Sequence, residues 1–120
     1  MSDLPQEFGV SIVQVDGHTK VRMTGDIDLA TAPELPQRLD PVLVAGTGDV
    51  DLDLSEVTFL DSRGLVALLH VRRALHDKHR RLQVRNPSKP VLRVFELSGV
   101  LDMMMDGSQP PGDSRRAAEA

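Results

Sequence analysis

The serine, histidine and acidic residues of this 120-residue chain are the first side chains to test for catalysis. Ser62 and His70 are candidates for a nucleophile and its base, but they lie eight residues apart on one predicted helix. That spacing is about 12 Å along a helix axis, which is too far for the hydrogen bond such a pair needs. The chain also has no glycine-flanked serine elbow, phosphate-binding glycine loop or dinucleotide motif. The sequence therefore predicts no catalytic residue, and we expect a protein that is not an enzyme.

Two groups of side chains invite a metal interpretation, and neither fits one. His76 and His79 have a spacing that can ligate zinc, but two ligands do not make a site, and histidines near a helix C-terminus are favoured as solvated groups. Three aspartates alternate with apolar residues in 49–54, DVDLDL. A calcium loop of the EF-hand type would require Gly at Leu54 and Glu at Leu60, so the aspartates are interpreted as a solvated strand face. We predict no metal and no cofactor.

Composition narrows the class of protein. Hydrophobic residues make up 40% of the chain, with no Trp, Tyr or Cys and only three Phe, so the core must be aliphatic and a base-stacking platform is excluded. The net charge of -4 argues against nucleic acid as a partner. No signal peptide or membrane-spanning run is present, so we predict a cytoplasmic protein that does not bind membranes.

A local basic patch remains in this acidic chain. We interpret it as a solvated helix face that favours the C-terminal end of its helix. Its members are Arg72, Arg73, Lys78, Arg80 and Arg81.

The first half of the chain shows a hairpin followed by an interrupted helix. Asp16-Gly17 separates two alternating segments, which is the pattern of a tight β-hairpin. Thr31 and Glu34 have the spacing of a capping box, so a helix should begin near Thr31, with Leu35, Leu39 and Val42 on its apolar face. Pro41 should stop or kink this helix near Asp40.

The middle of the chain predicts an internal strand and a long helix. Val50, Leu52 and Leu54 should share the buried face of a strand inside the sheet. A helix should then run from Asp61 or Ser62, either of which can be its N-cap, to about Asp77. Its core stripe recurs at i, i+4, i+7 and i+11. The stripe consists of Gly64, Leu68, Val71 and Leu75.

The remaining segments complete one domain. Leu82 and Val84 predict a short strand, Ser88 can cap a third helix that ends at Gly99, and residues 100–105 predict a further short element. The polar, proline-containing segment 107–120 and the segment 1–7 are expected to be disordered tails around a domain at 8–106.

Four segments resemble one family. Residues 57–65, VTFLDSRGL, resemble the signature of STAS domains, specifically the bacterial anti-sigma factor antagonists. Residues 25–28, GDID, resemble the motif that follows the family's second strand. Residues 53–55, DLS, resemble the stretch before the serine motif, and residues 94–100, VFELSGV, resemble the third helix and its exit. The resemblance implies a single-domain α/β fold with a mixed sheet of four to five strands packed by helices.

The resemblance also implies a function. The family's serine at the position of Ser62 is phosphorylated by an anti-sigma factor that is a serine kinase. The unphosphorylated antagonist binds that anti-sigma factor and releases the sigma factor, the phosphorylated form does not bind, and a Ser/Thr phosphatase resets the switch. Arg63 departs from the small residue that the family often has there. An interaction domain of the same fold that is not regulated at Ser62 is the main alternative, and a small hydrolase or metal-dependent enzyme is the third.

We further predict where the partner binds, and that the protein is a monomer. Counting 100° per residue, a second stripe of the long helix lies on the side of Ser62, opposite its core stripe. This stripe contains Val66, Leu69 and Arg73. The predicted partner-binding residues are Asp28, Asp61, Ser62, Arg63, Val66, Leu69 and Arg73.

Overall fold

The structure of the protein is a computed structural model that describes residues 7–106. Except for Glu7, the two predicted disordered tails, 1–7 and 107–120, lie outside the described residues.

The chain begins with the predicted hairpin. Strands β1 (Gly9–Val15) and β2 (His18–Ile27) pair antiparallel. Asp16 and Gly17 between them have φ angles of 49° and 80°. A two-residue turn of this kind requires positive φ at both positions, which Gly adopts freely and Asp tolerates. The hairpin prediction is confirmed.

Two further strands extend the hairpin into a mixed sheet. Strands β3 (Val50–Leu60) and β4 (Leu82–Arg85) give a four-stranded sheet in the order β1-β2-β3-β4, in which β2, β3 and β4 run parallel. Strand β3 lies inside this sheet, and Val50, Leu52 and Leu54 are each at most 2% exposed. The predicted fold class and the internal position of this strand are both confirmed.

The sheet has one covered face and one open face. In β2 the buried residues alternate, and Val21, Met23 and Ile27 lie in the core that the helices cover. The register places Lys20 beside Asp51 on the other face, where the side chains are charged and at least partly exposed. The helices cover a single face of the sheet, so the opposite face is open to solvent.

The crossover from β2 to β3 is helical but irregular. It contains a 3-10 turn (Ala32–Glu34), helix α1 (Leu35–Arg38) and a π-helical turn (Pro41–Ala45). The break near Asp40 is confirmed, because Pro41 cannot continue α1. The capping box is wrong, since the Thr31 side chain makes no capping hydrogen bond and its hydroxyl lies 2.8 Å from the Asp26 carbonyl oxygen.

Three helices follow β3. Helix α2 (Ser62–His76) connects β3 to β4, and α3 (Lys89–Leu97) and α4 (Leu101–Asp106) pack against β3 and β4. Ser88 occupies the N-cap position of α3, but its side chain makes no capping bond, and its Oγ is buried without a hydrogen-bond partner within residues 7–106. The predicted capping by Ser88 is therefore correct in position and wrong in chemistry.

The interpretation of the basic patch as a solvated face is wrong for two of its members. Arg72 and Arg80 are each 7% exposed. The Nε of Arg80 donates to the Gly48 carbonyl oxygen at 2.7 Å, and its Nη1 donates to that of Val42 at 2.6 Å. Arg80 therefore supplies hydrogen-bond donors to a carbonyl of the π-helical turn and to a carbonyl of the loop after it.

Candidate functional site

Asp61, not Ser62, caps the helix that carries the predicted switch. Asp61 has extended backbone angles (φ -103°, ψ -174°), and its Oδ1 accepts a hydrogen bond from the Gly64 amide at 2.9 Å. Ser62 is therefore the first helical residue of α2, and it is exposed. Capping, which was the structural explanation left open for this serine, belongs to its neighbour.

The second carboxylate oxygen of Asp61 holds the neighbouring loop. Its Oδ2 accepts from the Leu29 amide at 3.2 Å, while the backbone amide of Asp61 donates to the Ile27 carbonyl at 3.2 Å. One side chain thus joins the start of α2 to the residues that follow β2. The structure gives Asp61 a positioning role, and its part in partner binding stays a prediction.

Gly64 allows α2 to begin directly against the end of β2. A Cβ atom at this position would clash with the Ile27 carbonyl oxygen and with the side chains of Leu60 and Ile27. A backbone atom cannot move aside as a flexible side chain can, so a larger residue would displace the helix start. The position of Ser62 relative to the loop after β2 is therefore fixed by close packing.

Asp28 shapes the loop itself, and Asp26 lies just before it at the end of β2. The Asp28 carboxylate accepts from the amides of Ala30 at 3.0 Å and Thr31 at 3.1 Å, which forms a turn of the kind that Asp favours. The Asp26 carboxylate accepts from the Thr58 hydroxyl at 2.5 Å. Asp26, Asp28 and Asp61 thus place three acidic side chains at the carboxyl ends of the parallel strands β2 and β3.

The faces of α2 largely follow the predicted stripes. Gly64, Leu68, Val71 and Leu75 are buried, which confirms the core stripe, although the core also includes Leu65. On the side of Ser62, Val66 is 46% exposed and the side chain of Arg73 is 69% exposed. Leu69 is half-buried and packs against the core. Arg63 is exposed beside Ser62.

Two exposed apolar residues near the site were missed from the sequence. Leu29 is 64% exposed, and Phe59 is 48% exposed. The simple alternation of β3 ends after Leu54, since its next buried residues are Val57 and Leu60, and the pairing with β2 has register shifts in this region. With these register shifts, Phe59 faces solvent. In the sequence, the only sign of them is that the apolar residues stop alternating after Leu54.

A shallow apolar groove runs beside the exposed serine. It encloses about 240 Å³ between α2 and the crossover that follows β2. Its lining contains six apolar residues, one arginine and one histidine, and no acidic residue. The lining residues are Leu29, Ala32, Pro33, Pro36, Arg63, Val66, Ala67 and His70.

Within residues 7–106, no three His, Asp or Glu side chains are grouped closely enough to hold a metal ion. No helix in the described part of the chain combines the length and hydrophobicity needed to cross a membrane.

The fold and the site define a small α/β domain that presents an exposed serine at the start of a capped helix. A family model described as "Mlab, STAS domain" matches residues 10–105, and the chain belongs to the STAS domain family. An anti-sigma-B factor antagonist from Staphylococcus epidermidis is 30% identical over 97 residues, which are 81% of this chain and 90% of the relative.

Solved structures of anti-sigma factor antagonists are similar to this structure. A crystal structure of an anti-sigma factor antagonist from Mycobacterium paratuberculosis matches with a TM-score of 0.70 at 28% identity, covering 98% of each chain. The Bacillus cell fate determinant SpoIIAA in its phosphorylated form matches with a TM-score of 0.63 at 20% identity, covering 92% of this chain and 99% of SpoIIAA. This second likeness concerns the fold alone. The resemblance found in the sequence is confirmed.

Proposed function

We propose that this chain is an anti-sigma factor antagonist whose binding is switched off by phosphorylation of Ser62. The observation that carries the proposal is Ser62 itself: it is exposed at the first position of α2, and Asp61 performs the capping. A serine that is accessible and free of a capping duty is available to a kinase. The relatives named anti-sigma factor antagonists support the same function.

In this proposal the unphosphorylated chain binds an anti-sigma factor with serine kinase activity, and the sigma factor is released. The kinase then transfers phosphate from ATP to the Ser62 hydroxyl, whose proton is lost, and ADP leaves. A Ser/Thr phosphatase hydrolyses the phosphoserine and restores binding. The protein acts as a cytoplasmic monomer and a kinase substrate, not as an enzyme, and it uses no cofactor.

The proposed partner surface surrounds Ser62. Val66 and Arg73 are exposed on the same side of α2, and Leu69 connects this surface to the core. Arg63 follows the serine in the chain, and Asp28 begins the loop that Asp61 holds against the start of α2. Apolar area beside charged groups is typical of a protein interface. Asp61 contributes by holding the loop after β2 against the helix.

Phosphorylation provides the direct test. The wild-type chain is incubated with ATP and each serine-kinase anti-sigma factor of the host, purified singly, and the products are examined by peptide mass spectrometry. We expect one phosphate on Ser62, none on that peptide in Ser62→Ala, and unchanged modification in Ser55→Ala, which alters another exposed serine. A chain that binds a kinase but is never modified would instead be a constitutive interaction domain. Turnover of simple esters would favour the hydrolase alternative.

A second test concerns the stripe on α2. Among residues 7–106, Arg73 makes only a long ion pair with Asp77 (3.8 Å), so Arg73→Glu should leave thermal stability nearly unchanged while weakening the complex roughly tenfold. Arg93→Glu, which reverses an exposed charge on α3, is the matched control for Arg73→Glu and should leave the affinity unchanged. Leu69→Ala should also weaken the complex. If Leu69→Ala lowers the free energy of unfolding by about 2–5 kcal/mol and leaves affinity intact, Leu69 belongs to the core and not to the interface.

A further inference from the structure

The groove beside Ser62 has a composition that specifies what can fill it. Its volume of about 240 Å³ is below the roughly 300–1,000 Å³ typical of small-molecule pockets, so it suits one or two side chains of a partner better than a cofactor. Leu29 and Val66 are 64% and 46% exposed at the groove, although both are large apolar side chains. An apolar side chain placed between them would remove that area from water.

The groove contains a cationic side chain but no acidic one. Arg63 and His70 line it, and no acidic residue does. None of the ion pairs within residues 7–106 involves Arg63. The acidic residue nearest to Arg63 in the sequence, Asp61, already accepts hydrogen bonds from two backbone amides. The Arg63 guanidinium is therefore available to a carboxylate from outside the chain, which it can bind in a bidentate manner.

We propose that this groove receives a segment of the anti-sigma factor that carries an aliphatic anchor residue beside an Asp or Glu. The anchor packs between Leu29 and Val66 over Ala67, and the carboxylate pairs with Arg63. This inference rests on the proposed function, because it names the part of the partner that the same surface recognises. It assigns docking contacts to Leu29 and Ala67, which the sequence did not indicate.

The same arrangement explains why a phosphate on Ser62 would act on binding. Ser62 directly precedes Arg63, so the phosphate adds nearly two negative charges next to the cation that the partner's carboxylate uses. It competes for Arg63 and repels the incoming carboxylate. Arg63 thus contributes both to docking and to the switch, in addition to the repulsion between the phosphate and the acidic residues near the start of α2.

The test fills the groove or removes its charge without altering Ser62. Ala67→Leu occupies the space of the anchor, and Arg63→Gln removes the cation. The controls are Ala74→Leu, which adds the same side chain on the same helix outside the groove, and Arg93→Gln on α3. Binding to each serine-kinase anti-sigma factor of the host, purified singly, is measured by calorimetry at two salt concentrations, after thermal melting has verified folding.

We expect Ala67→Leu to raise Kd at least tenfold and Arg63→Gln to raise it about three- to tenfold with a weaker salt dependence, while both controls stay within twofold. If Ala67→Leu does not fold, Leu29→Ser replaces it. If these variants bind with wild-type affinity, while the wild-type chain binds the kinase and is phosphorylated on Ser62, the groove assignment is wrong and the proposed function stands. If the wild-type chain self-associates and Ala67→Leu abolishes this, the groove is occupied by a second copy of the chain and not by the anti-sigma factor. A wild-type chain that binds none of these factors would overturn the proposed function as well.

Discussion

Ser62→Asp is expected to weaken the complex with the anti-sigma factor about 10- to 100-fold, and phosphorylation of Ser62 at least 100-fold, without unfolding the domain. A phosphate placed in a docked interface beside Asp61 and Asp28 is desolvated against like charge, which costs several kcal/mol. Each 1.4 kcal/mol corresponds to about a tenfold change in affinity. The single charge of Asp should therefore have the smaller effect.

The fold should tolerate the same charge. Ser62 is the first residue of α2, where negative charge interacts favourably with the helix dipole by roughly 0.3 to 1 kcal/mol. Ser62→Asp should thus keep or slightly raise the melting temperature. Ser62→Ala should change the free energy of unfolding by less than about 0.5 kcal/mol, because Asp61 keeps its capping bond to Gly64.

Affinity and stability are measured on the same preparations, by calorimetry with the partner and by urea unfolding. Asp61→Ala is the informative comparison, because it removes the cap and should destabilise the domain by about 0.5–2 kcal/mol. If Ser62→Asp melted the protein, the charge would be acting on the fold and the binding switch would be wrong. If it neither unfolded the protein nor weakened binding, Ser62 would lie outside the interface.

Local patterns were sufficient for the parts of the fold that depend on backbone geometry or apolar periodicity. The Asp16-Gly17 turn demands positive φ at two positions, and few pairs of residues meet that demand as readily. The alternation in 49–54 and the 3.6-residue stripe of α2 each mark a buried face. These features predicted the hairpin, the internal strand and the core side of the switch helix.

Polar side chains were less predictable, because each has several possible partners and the tertiary structure selects among them. Thr31 has the spacing of a capping residue, but its hydroxyl contacts the Asp26 carbonyl, which the crossover brings close. Ser88 stands at an N-cap and makes no capping bond. Either Asp61 or Ser62 could have capped α2, and the loop after β2 decides in favour of Asp61 through Leu29.

The candidate site shows the same division. Ser62 and its neighbours in the signature are contiguous in the sequence, so a resemblance could indicate them. The groove, in contrast, joins α2 to Leu29 and to two prolines of the crossover. That juxtaposition depends on the close approach of Gly64 to Ile27, and no spacing within one segment reveals it.

Arg80 is expected to be a principal polar contributor to stability, although the sequence presented it as one more surface cation. Its guanidinium donates to the carbonyl oxygens of Gly48 and Val42, 32 and 38 residues away in the chain, and it is 7% exposed. Hydrogen bonds from a charged donor contribute roughly 1.5–3 kcal/mol each. Its Nη2, buried without a partner among residues 7–106, lowers the net gain.

Arg80→Met should therefore lower the free energy of unfolding by about 2–4 kcal/mol, since Met fills the space of the aliphatic stem but removes the donors that Arg80 supplies to two carbonyls. Arg81→Met, which changes the adjacent exposed arginine, should stay within about 0.5 kcal/mol. Urea unfolding of both variants decides the matter. Arg80→Lys adds a further criterion: a single ammonium cannot reproduce the planar guanidinium at both carbonyls, so it should restore only part of the loss. Equal, small effects of Arg80→Met and Arg81→Met would instead mean that Arg80 is as solvated as its neighbour and that the loop before β3 is held by its apolar residues alone.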